Sequence, residues 1–105
     1  MIIQVNTGPK IHGSEGLIAE VTAIVQDSLA RFSAQVTRVE VHLTEETGRL
    51  GGEHDKRCVM EARLEGHQPL AVTQHSPSSE DAIRGAAEKL ERLIEHTTGR
   101  LRELR

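Results

Sequence analysis

Apolar residues recur at two different periods along the chain, and the changes of period divide it into segments. A short β-branched run over residues 2–6 ends at Thr-Gly-Pro, which predicts a strand followed by a turn. Ser14 then opens a stretch with helical spacing, which predicts a helix from this N-cap to about Arg31. Its apolar members are Leu17, Ile18, Val21, Ile24, Val25, Leu29 and Phe32.

Alternation of apolar and polar residues comes next, and it predicts three strands with one buried face each. The strands cover about residues 36–44, 57–64 and 70–75. Residues 47–55, between the first two, are rich in glycine and charge and are predicted to form a mobile hairpin loop. Glu65-Gly66-His67 predicts the turn before the last strand.

A second helical stripe begins after Pro77, which ends the last strand. Ser78 or Ser79 is the expected N-cap, and the two acidic residues that follow suit the positive end of a helix dipole. The stripe predicts a long amphipathic helix to about residue 104, which needs a surface to pack against. Its apolar members are Ile83, Ala86, Ala87, Leu90, Leu93, Ile94, Leu101 and Leu104.

These elements predict a single α+β domain with the order β-α-β-β-β-α. Short links between three strands favour an antiparallel meander, and the helical crossover from the first strand favours a parallel neighbour. Because every element has one apolar side, both helices are expected on one face of a four-stranded sheet. The other face is expected to be polar, with Arg38, Glu40, His42, Arg57, Glu61, Arg63, Thr73 and His75.

Composition narrows the classes of function. The 105 residues include 36% apolar and 28% charged residues, as expected for one soluble folded domain. Phe32 is the single aromatic residue, so stacking of bases on aromatic rings is nearly excluded. A net charge of −3 opposes broad attraction to nucleic acids or anionic membranes. One cysteine, no membrane-length apolar run and no signal peptide favour a cytoplasmic location.

The chain shows no catalytic pattern, and neither an enzyme, a cofactor nor a small-molecule substrate is predicted. None of its histidine pairs has the spacing of a zinc-binding helix. His42 and His75 could meet on the polar sheet face near Glu40, which leaves a metal site or small enzyme as one hypothesis. Cys58 alternates in phase with buried residues and is expected to be an inert core thiol.

Two groups of basic residues are candidate contacts for a polyanion. On the last helix, a spacing of three and four places one group on a single side, where it could follow a phosphate backbone. This group is Lys89, Arg92, His96 and Arg100, and the second group, on the third strand, is Lys56, Arg57 and Arg63. The plainer interpretations are a solvated helix face diluted by interleaved glutamates, and cross-strand pairs with Glu40 and Glu61.

The element order and the last helix resemble the ribosome hibernation-promoting factor / ribosome-associated inhibitor A family, also called ribosomal subunit interface or sigma-factor modulation proteins. The similarity covers nearly the whole chain and is to the short form, which lacks a C-terminal dimerisation domain. The residues that carry it are Ile3-Gln4-Val5, Ala82-Ile83, Lys89-Leu90 and Arg92.

This resemblance implies a fold similar to a double-stranded RNA-binding domain and a cytoplasmic partner, the small ribosomal subunit with its RNA. It also implies suppression of translation under stress by a non-catalytic factor that occludes the messenger and transfer RNA path. The RNA contacts carried over by position are Lys89, Arg92, His96 and Arg100 on the last helix and Arg31 on the first.

The chain departs from the family pattern at Glu95 and Thr97, where family members often carry lysines, and in a first helix poor in Lys and Arg. With the negative net charge, these departures support an alternative hypothesis. The protein would then be an interaction module that binds a partner protein, or a second copy as a homodimer, through a sheet edge or the polar sheet face. A homodimer insensitive to ribonuclease and without ribosome association would favour it.

Overall fold

The structure is a computed structural model that describes the backbone of residues 1–47 and 54–103 and the side chains of residues 1–46 and 55–99. A 3-10 turn over Ala30–Phe32 follows the first helix. The regular elements have the predicted order: β1 (Ile2–Thr7), α1 (Glu15–Ser28), β2 (Val36–Thr47), β3 (His54–Leu64), β4 (Leu70–Ser76) and α2 (Ser79–Glu103).

The four strands form one mixed sheet in the order β1-β2-β3-β4. β1 pairs with β2 in parallel, whereas β2–β3 and β3–β4 are antiparallel pairs. The parallel pair follows from α1, because a helical crossover brings the chain back to run in the same direction. The turn between β3 and β4 contains Gly66, whose φ of 72° is a left-handed conformation that glycine adopts without strain. The topology predicted from the sequence is therefore confirmed.

One aliphatic core lies between the sheet and the two helices. No polar side chain in the described part of the chain is buried. One buried cluster joins side chains of both helices with those of the sheet, so both helices pack on one face of the sheet, as predicted. Over the described residues, no helix combines the length and the apolar character that a bilayer crossing requires. Members of the core that are fully buried include Val21, Val25, Val39, Val41, Met60, Ile83, Leu90 and Ile94.

A serine caps the start of each helix. The Oγ of Ser14 accepts a hydrogen bond from the backbone N–H of Leu17 at 3.1 Å, and the Oγ of Ser78 accepts one from the N–H of Asp81 at 3.0 Å. Each cap satisfies a backbone donor that has no acceptor within its own helix. Ser14 and Ser78 therefore do what the sequence predicts of them.

The first helix is shorter than predicted and ends at Ser28 rather than near Arg31. Leu29 has left the helical conformation, with φ −107° and ψ 12°, and the 3-10 turn that follows keeps both Leu29 and Phe32 buried. Ile18, predicted to belong to the apolar stripe, is 41% exposed because it lies at the rim of the stripe.

The β2–β3 ladder extends farther than the alternation predicts. Thr47 pairs with His54, so both strands enter the segment predicted to be a loop. Residues 48–53 of that segment lie outside the described residues. Lys56 Nζ lies 2.7 Å from Glu45 Oε1 across the ladder, and this pairing of opposite charges supports the extension. The alternation of apolar and polar residues does not predict this extension, because the paired ends of β2 and β3 have no apolar side chains on either face.

The position of Leu90 tests the rotation of α2 about its axis. Leu90 is fully buried, so Leu90→Ala should lower the free energy of unfolding by about 2–5 kcal/mol through the cavity it leaves. Urea denaturation measures this loss. Leu93→Ala is the matched control, because it deletes the same atoms from a half-buried position and should cost less. Equal losses at the two positions would contradict the observed rotation.

Gly85 permits a close approach between α2 and β4. A Cβ atom at this position would lie 2.8 Å from Gln74 Cγ and 2.9 Å from Gln74 Cδ. Gly85→Ala should therefore displace Gln74, and that cost opposes the gain of about 1 kcal/mol that alanine brings to a helix interior.

In a Gln74→Ala background, the same substitution should instead raise the free energy of unfolding by about 1 kcal/mol. A double-mutant cycle measured by urea denaturation gives the coupling between the two positions. If Gly85→Ala has the same effect in both backgrounds, the two residues do not meet.

Candidate nucleic-acid interface

Three of the four basic residues predicted on the last helix form an exposed row along one flank of α2. Lys89, Arg92 and His96 are three and four residues apart, so they lie above one another on the helix surface. We call this row the basic ridge. Arg100 continues the spacing in the backbone of α2, but its side chain lies outside the described residues.

Lys89, the first residue of the basic ridge, lies on the side of α2 that faces β4. Lys89 Nζ donates a 2.9 Å hydrogen bond to the backbone carbonyl of Thr73, a residue of β4. Because β4 is an edge strand, this contact places Lys89 at one side of the domain. An ammonium group carries three N–H donors, so Lys89 keeps donors for a further acceptor.

Arg92 differs from Lys89 because it forms no hydrogen bond or ion pair with any described residue. Its side chain is exposed, and no described residue uses any of its N–H donors. Arginine binds phosphate through two parallel hydrogen bonds, which fixes both the distance and the orientation of the anion. Arg92 is therefore the side chain of the ridge best prepared to bind a phosphate.

The opposite flank of α2 is acidic and holds Arg31, the contact predicted on the first helix. Arg31 lies in the 3-10 turn, and its Nη2 is 3.3 Å from Glu91 Oε1 and 3.0 Å from Glu95 Oε2. Its guanidinium also lies over the Phe32 ring, 4.6 Å from the centroid. The hydrogen bond with Glu95 is the main reason that the pKa of Arg31 is raised, with further attraction from both carboxylates. We call Arg31, Glu91 and Glu95 the arginine clamp.

The basic cluster predicted on the third strand is divided between the two faces of the sheet. Alternation along β3 places Lys56 on the helix side and Arg57 and Arg63 on the open side. Each is ion-paired, but not in the predicted cross-strand pairs with Glu40 and Glu61. Arg63 pairs with Glu61 on its own strand, and Glu40 pairs with Arg38. RNA contact by the three residues stays a prediction. Their pairs are Lys56–Glu45 at 2.7 Å, Arg57–Glu46 at 3.8 Å and Arg63–Glu61 at 3.6 Å.

The histidines considered for a metal site lie near different carboxylates. His42 Nε2 is 4.0 Å from Glu40 Oε2, whereas His75 Nε2 is 4.0 Å from Glu46 Oε2. Within the described ranges, no three His, Cys, Asp or Glu side chains come together as metal ligands would. The geometry therefore gives the metal hypothesis no assembled site in this part of the chain.

Comparison with known proteins assigns the chain to a family. The sequence profile described as "Sigma 54 modulation protein / S30EA ribosomal protein" matches residues 5–102. The chain belongs to this family. The resemblance that the last helix and the element order indicate is therefore confirmed over nearly the whole sequence. No curated protein sequence gives a significant match.

Two solved structures share the fold with this member of the family. A ribosomal subunit interface protein from Coxiella burnetii superposes with a TM-score of 0.69 at 17% identity, over 94% of this chain and 99% of that one. The N-terminal domain of Protein Y from Thermus thermophilus superposes with a TM-score of 0.62 at 16% identity, over 92% and 99% respectively. At such low identities, these structures establish the α+β fold alone.

Sequence patterns do not reveal the arginine clamp. Arg31 and Glu95 are 64 positions apart, and the 3-10 turn that presents Arg31 has no apolar period to identify it. The one local signal is the spacing of Glu91 and Glu95, which are one helical turn apart and so can share a cation. The partner of these glutamates becomes visible only when the two helices pack together.

The environment of Cys58 gives a test by chemical labelling. The thiol is fully buried, and desolvation raises its pKa to about 12. At about pH 8.5, where an ordinary thiol is half ionised, iodoacetamide should therefore label native Cys58 slowly. Labelling should accelerate with urea in step with the unfolded fraction. Rapid labelling without denaturant would contradict this.

The same shift has a consequence for the pH dependence of stability. Only the unfolded chain releases the thiol proton between about pH 8.5 and 12, so the Cys58 contribution to stability is lost as pH rises through that window. Cys58→Ala is the control, because the variant should lack this component of the alkaline loss.

Proposed function

We propose that the protein is a non-catalytic, cytoplasmic ribosome-associated factor that binds small-subunit RNA and suppresses translation by occluding the messenger and transfer RNA path. The observation that carries this proposal is the basic ridge, whose Arg92 has no partner among the described residues, on a chain of the sigma 54 modulation / S30EA family. The names of the two structural relatives, a ribosomal subunit interface protein and Protein Y, agree with a ribosomal partner.

Phosphate contact has to be local in a protein with a net charge of −3. Fields between exposed charges are largely screened beyond about 8–10 Å at physiological salt. The domain as a whole therefore attracts RNA little, and the affinity must come from cations that touch phosphates directly. The ridge meets this requirement because its side chains are exposed and Arg92 forms no ion pair with any described residue.

The members of the ridge contribute differently to the proposed contact. Arg92 binds a phosphate through two hydrogen bonds, and Lys89 adds a cation whose position its bond to Thr73 already restricts. His96 supplies a ring N–H one turn farther, and Arg100 extends the row by its spacing. On the 3-10 turn and β3, Arg31, Lys56, Arg57 and Arg63 would each have to exchange an existing carboxylate partner for phosphate.

Occlusion requires a body that keeps its shape when it enters the RNA path. The core of this domain is one continuous cluster that includes side chains from α1, α2 and the sheet. The ridge therefore stands on a helix whose rotation is fixed by packing, and little ordering of the backbone is needed on binding. Preorganised groups of this kind lose less entropy when they bind, so a few phosphate contacts can suffice.

Co-sedimentation with small ribosomal subunits tests the proposal. About four phosphate contacts predict a loss of affinity on the order of a hundredfold between about 50 and 200 mM salt. Arg92→Ala should weaken binding and should reduce this salt-dependent loss by about 3.5-fold, which corresponds to one fewer contact.

Arg84→Ala is the matched control for the change in charge. Arg84 is exposed on the same helix, but it lies on the acidic flank, seven residues before Glu91, and its Nε pairs with Glu80 Oε1 at 3.1 Å. Its removal should leave the salt dependence nearly unchanged. Equal effects of Arg84→Ala and Arg92→Ala would contradict a contact localised on the ridge. No sedimentation at either salt would overturn ribosome binding and favour the protein-interaction module.

A further inference from the structure

Glu95 occupies a position from which it can pair with two different arginines. It follows Arg92 by three residues, and side chains at this spacing are neighbours on a helix surface. It also faces the 3-10 turn, where Arg31 approaches both of its carboxylate oxygens, at 3.5 Å from Nη1 and 3.0 Å from Nη2. In the structure Glu95 pairs with Arg31, and Arg92 has no partner among the described residues.

Several contacts hold Arg31 in this position. Glu91 accepts a second hydrogen bond from the guanidinium at 3.3 Å, and the Phe32 ring lies beneath it. A phosphate that bound Arg31 directly would have to displace two carboxylates from the same group. The arrangement therefore favours Arg31 as a residue that occupies Glu95, rather than as one that reaches RNA.

We propose that Arg31 is a positioning residue, which keeps Arg92 free for phosphate by holding the carboxylate of Glu95 on the opposite flank of α2. This inference rests on the proposed RNA contact at the basic ridge. Without Arg31, Glu95 would turn to Arg92, a cation within one helical turn, and would compete with phosphate for the same N–H donors. Arg31 would thus control RNA affinity without touching RNA.

A double-mutant cycle of Arg31→Ala and Glu95→Gln tests the inference by affinity for small ribosomal subunits at about 50 mM salt. Surface ion pairs of this kind shift an equilibrium by about two- to fivefold. Arg31→Ala should weaken binding by this factor and should lower the salt dependence by about one phosphate contact. Adding Glu95→Gln to Arg31→Ala should restore both, whereas Glu95→Gln alone should strengthen binding by less than about twofold.

The sign of the coupling separates the proposed role from its alternatives. If Arg31 binds phosphate itself, Glu95→Gln frees it and strengthens binding more in the presence of Arg31 than in its absence. If Arg31 acts only through its distant charge, Glu95→Gln has equal effects in both backgrounds. Either result would overturn the proposal, and a larger gain in the Arg31→Ala background would support it.

Two control variants distinguish an effect of the arginine clamp on RNA affinity from a general effect of charge and from a packing defect. Glu88 lies four residues before Arg92 and forms no ion pair with any described residue, so Glu88→Gln removes one neighbouring charge without disturbing the clamp. It should strengthen binding about equally with and without Arg31. Arg31→Met retains an unbranched stem over Phe32, and it should weaken binding as Arg31→Ala does. If only Arg31→Ala weakens binding, the effect is one of packing and the proposal fails.

A spectroscopic measurement on the free protein keeps this inference separate from the proposed function. The side-chain Nε–H signal of Arg92 in ¹⁵N NMR should shift and exchange more slowly with water in Arg31→Ala, and it should return when Glu95→Gln is added. An unchanged Arg92 signal would overturn the clamp even if ribosome binding is found. If the wild-type protein does not bind ribosomal subunits, the proposed function fails, and this signal alone then decides whether Arg31 controls Arg92.

Discussion

The rotation of α2 about its axis is fixed by one apolar stripe, and most of the candidate site depends on that rotation. Ile83, Leu90 and Ile94 are fully buried against the sheet. Once these residues point inward, helical spacing leaves Lys89 on the β4 flank and Glu91 on the α1 flank. The positions of the charged residues on α2 are therefore a consequence of how its apolar residues pack.

Much of the fold could be predicted because its signals are local. Two periods, 3.6 and 2, identify the helices and strands, and the serine caps and turn glycine mark several of the boundaries. The parallel pairing of β1 follows from a general rule about crossovers, so it needs no information from distant residues. The errors occur where local signals weaken. The apolar stripe of α1 continues through Leu29 and Phe32 although the helix ends at Ser28, and the paired ends of β2 and β3 have no apolar face.

The candidate site could be predicted only in part, because charged partners are chosen by tertiary packing. Spacing alone identifies the basic ridge, whose members share one helix. Spacing does not show that Arg31 meets Glu95, since three of the four strands lie between these residues along the chain. It also groups Lys56 with Arg57 although they lie on opposite faces of β3, where alternation, applied strictly, separates them.

Acidic and basic residues alternate closely along α2, so the sequence alone shows no separate acidic or basic face on this helix. Each glutamate at 88, 91 and 95 directly precedes Lys89, Arg92 or His96. Neighbours in sequence do not face each other on a helix, however, so burial of the stripe turns Glu91 and Glu95 toward Arg31 and Lys89 toward β4. One flank then meets Arg31, which offsets two of its carboxylates, while the other is exposed beside β4. Net charge therefore describes this surface poorly, because the availability of Arg92 depends on which cation each neighbouring carboxylate binds.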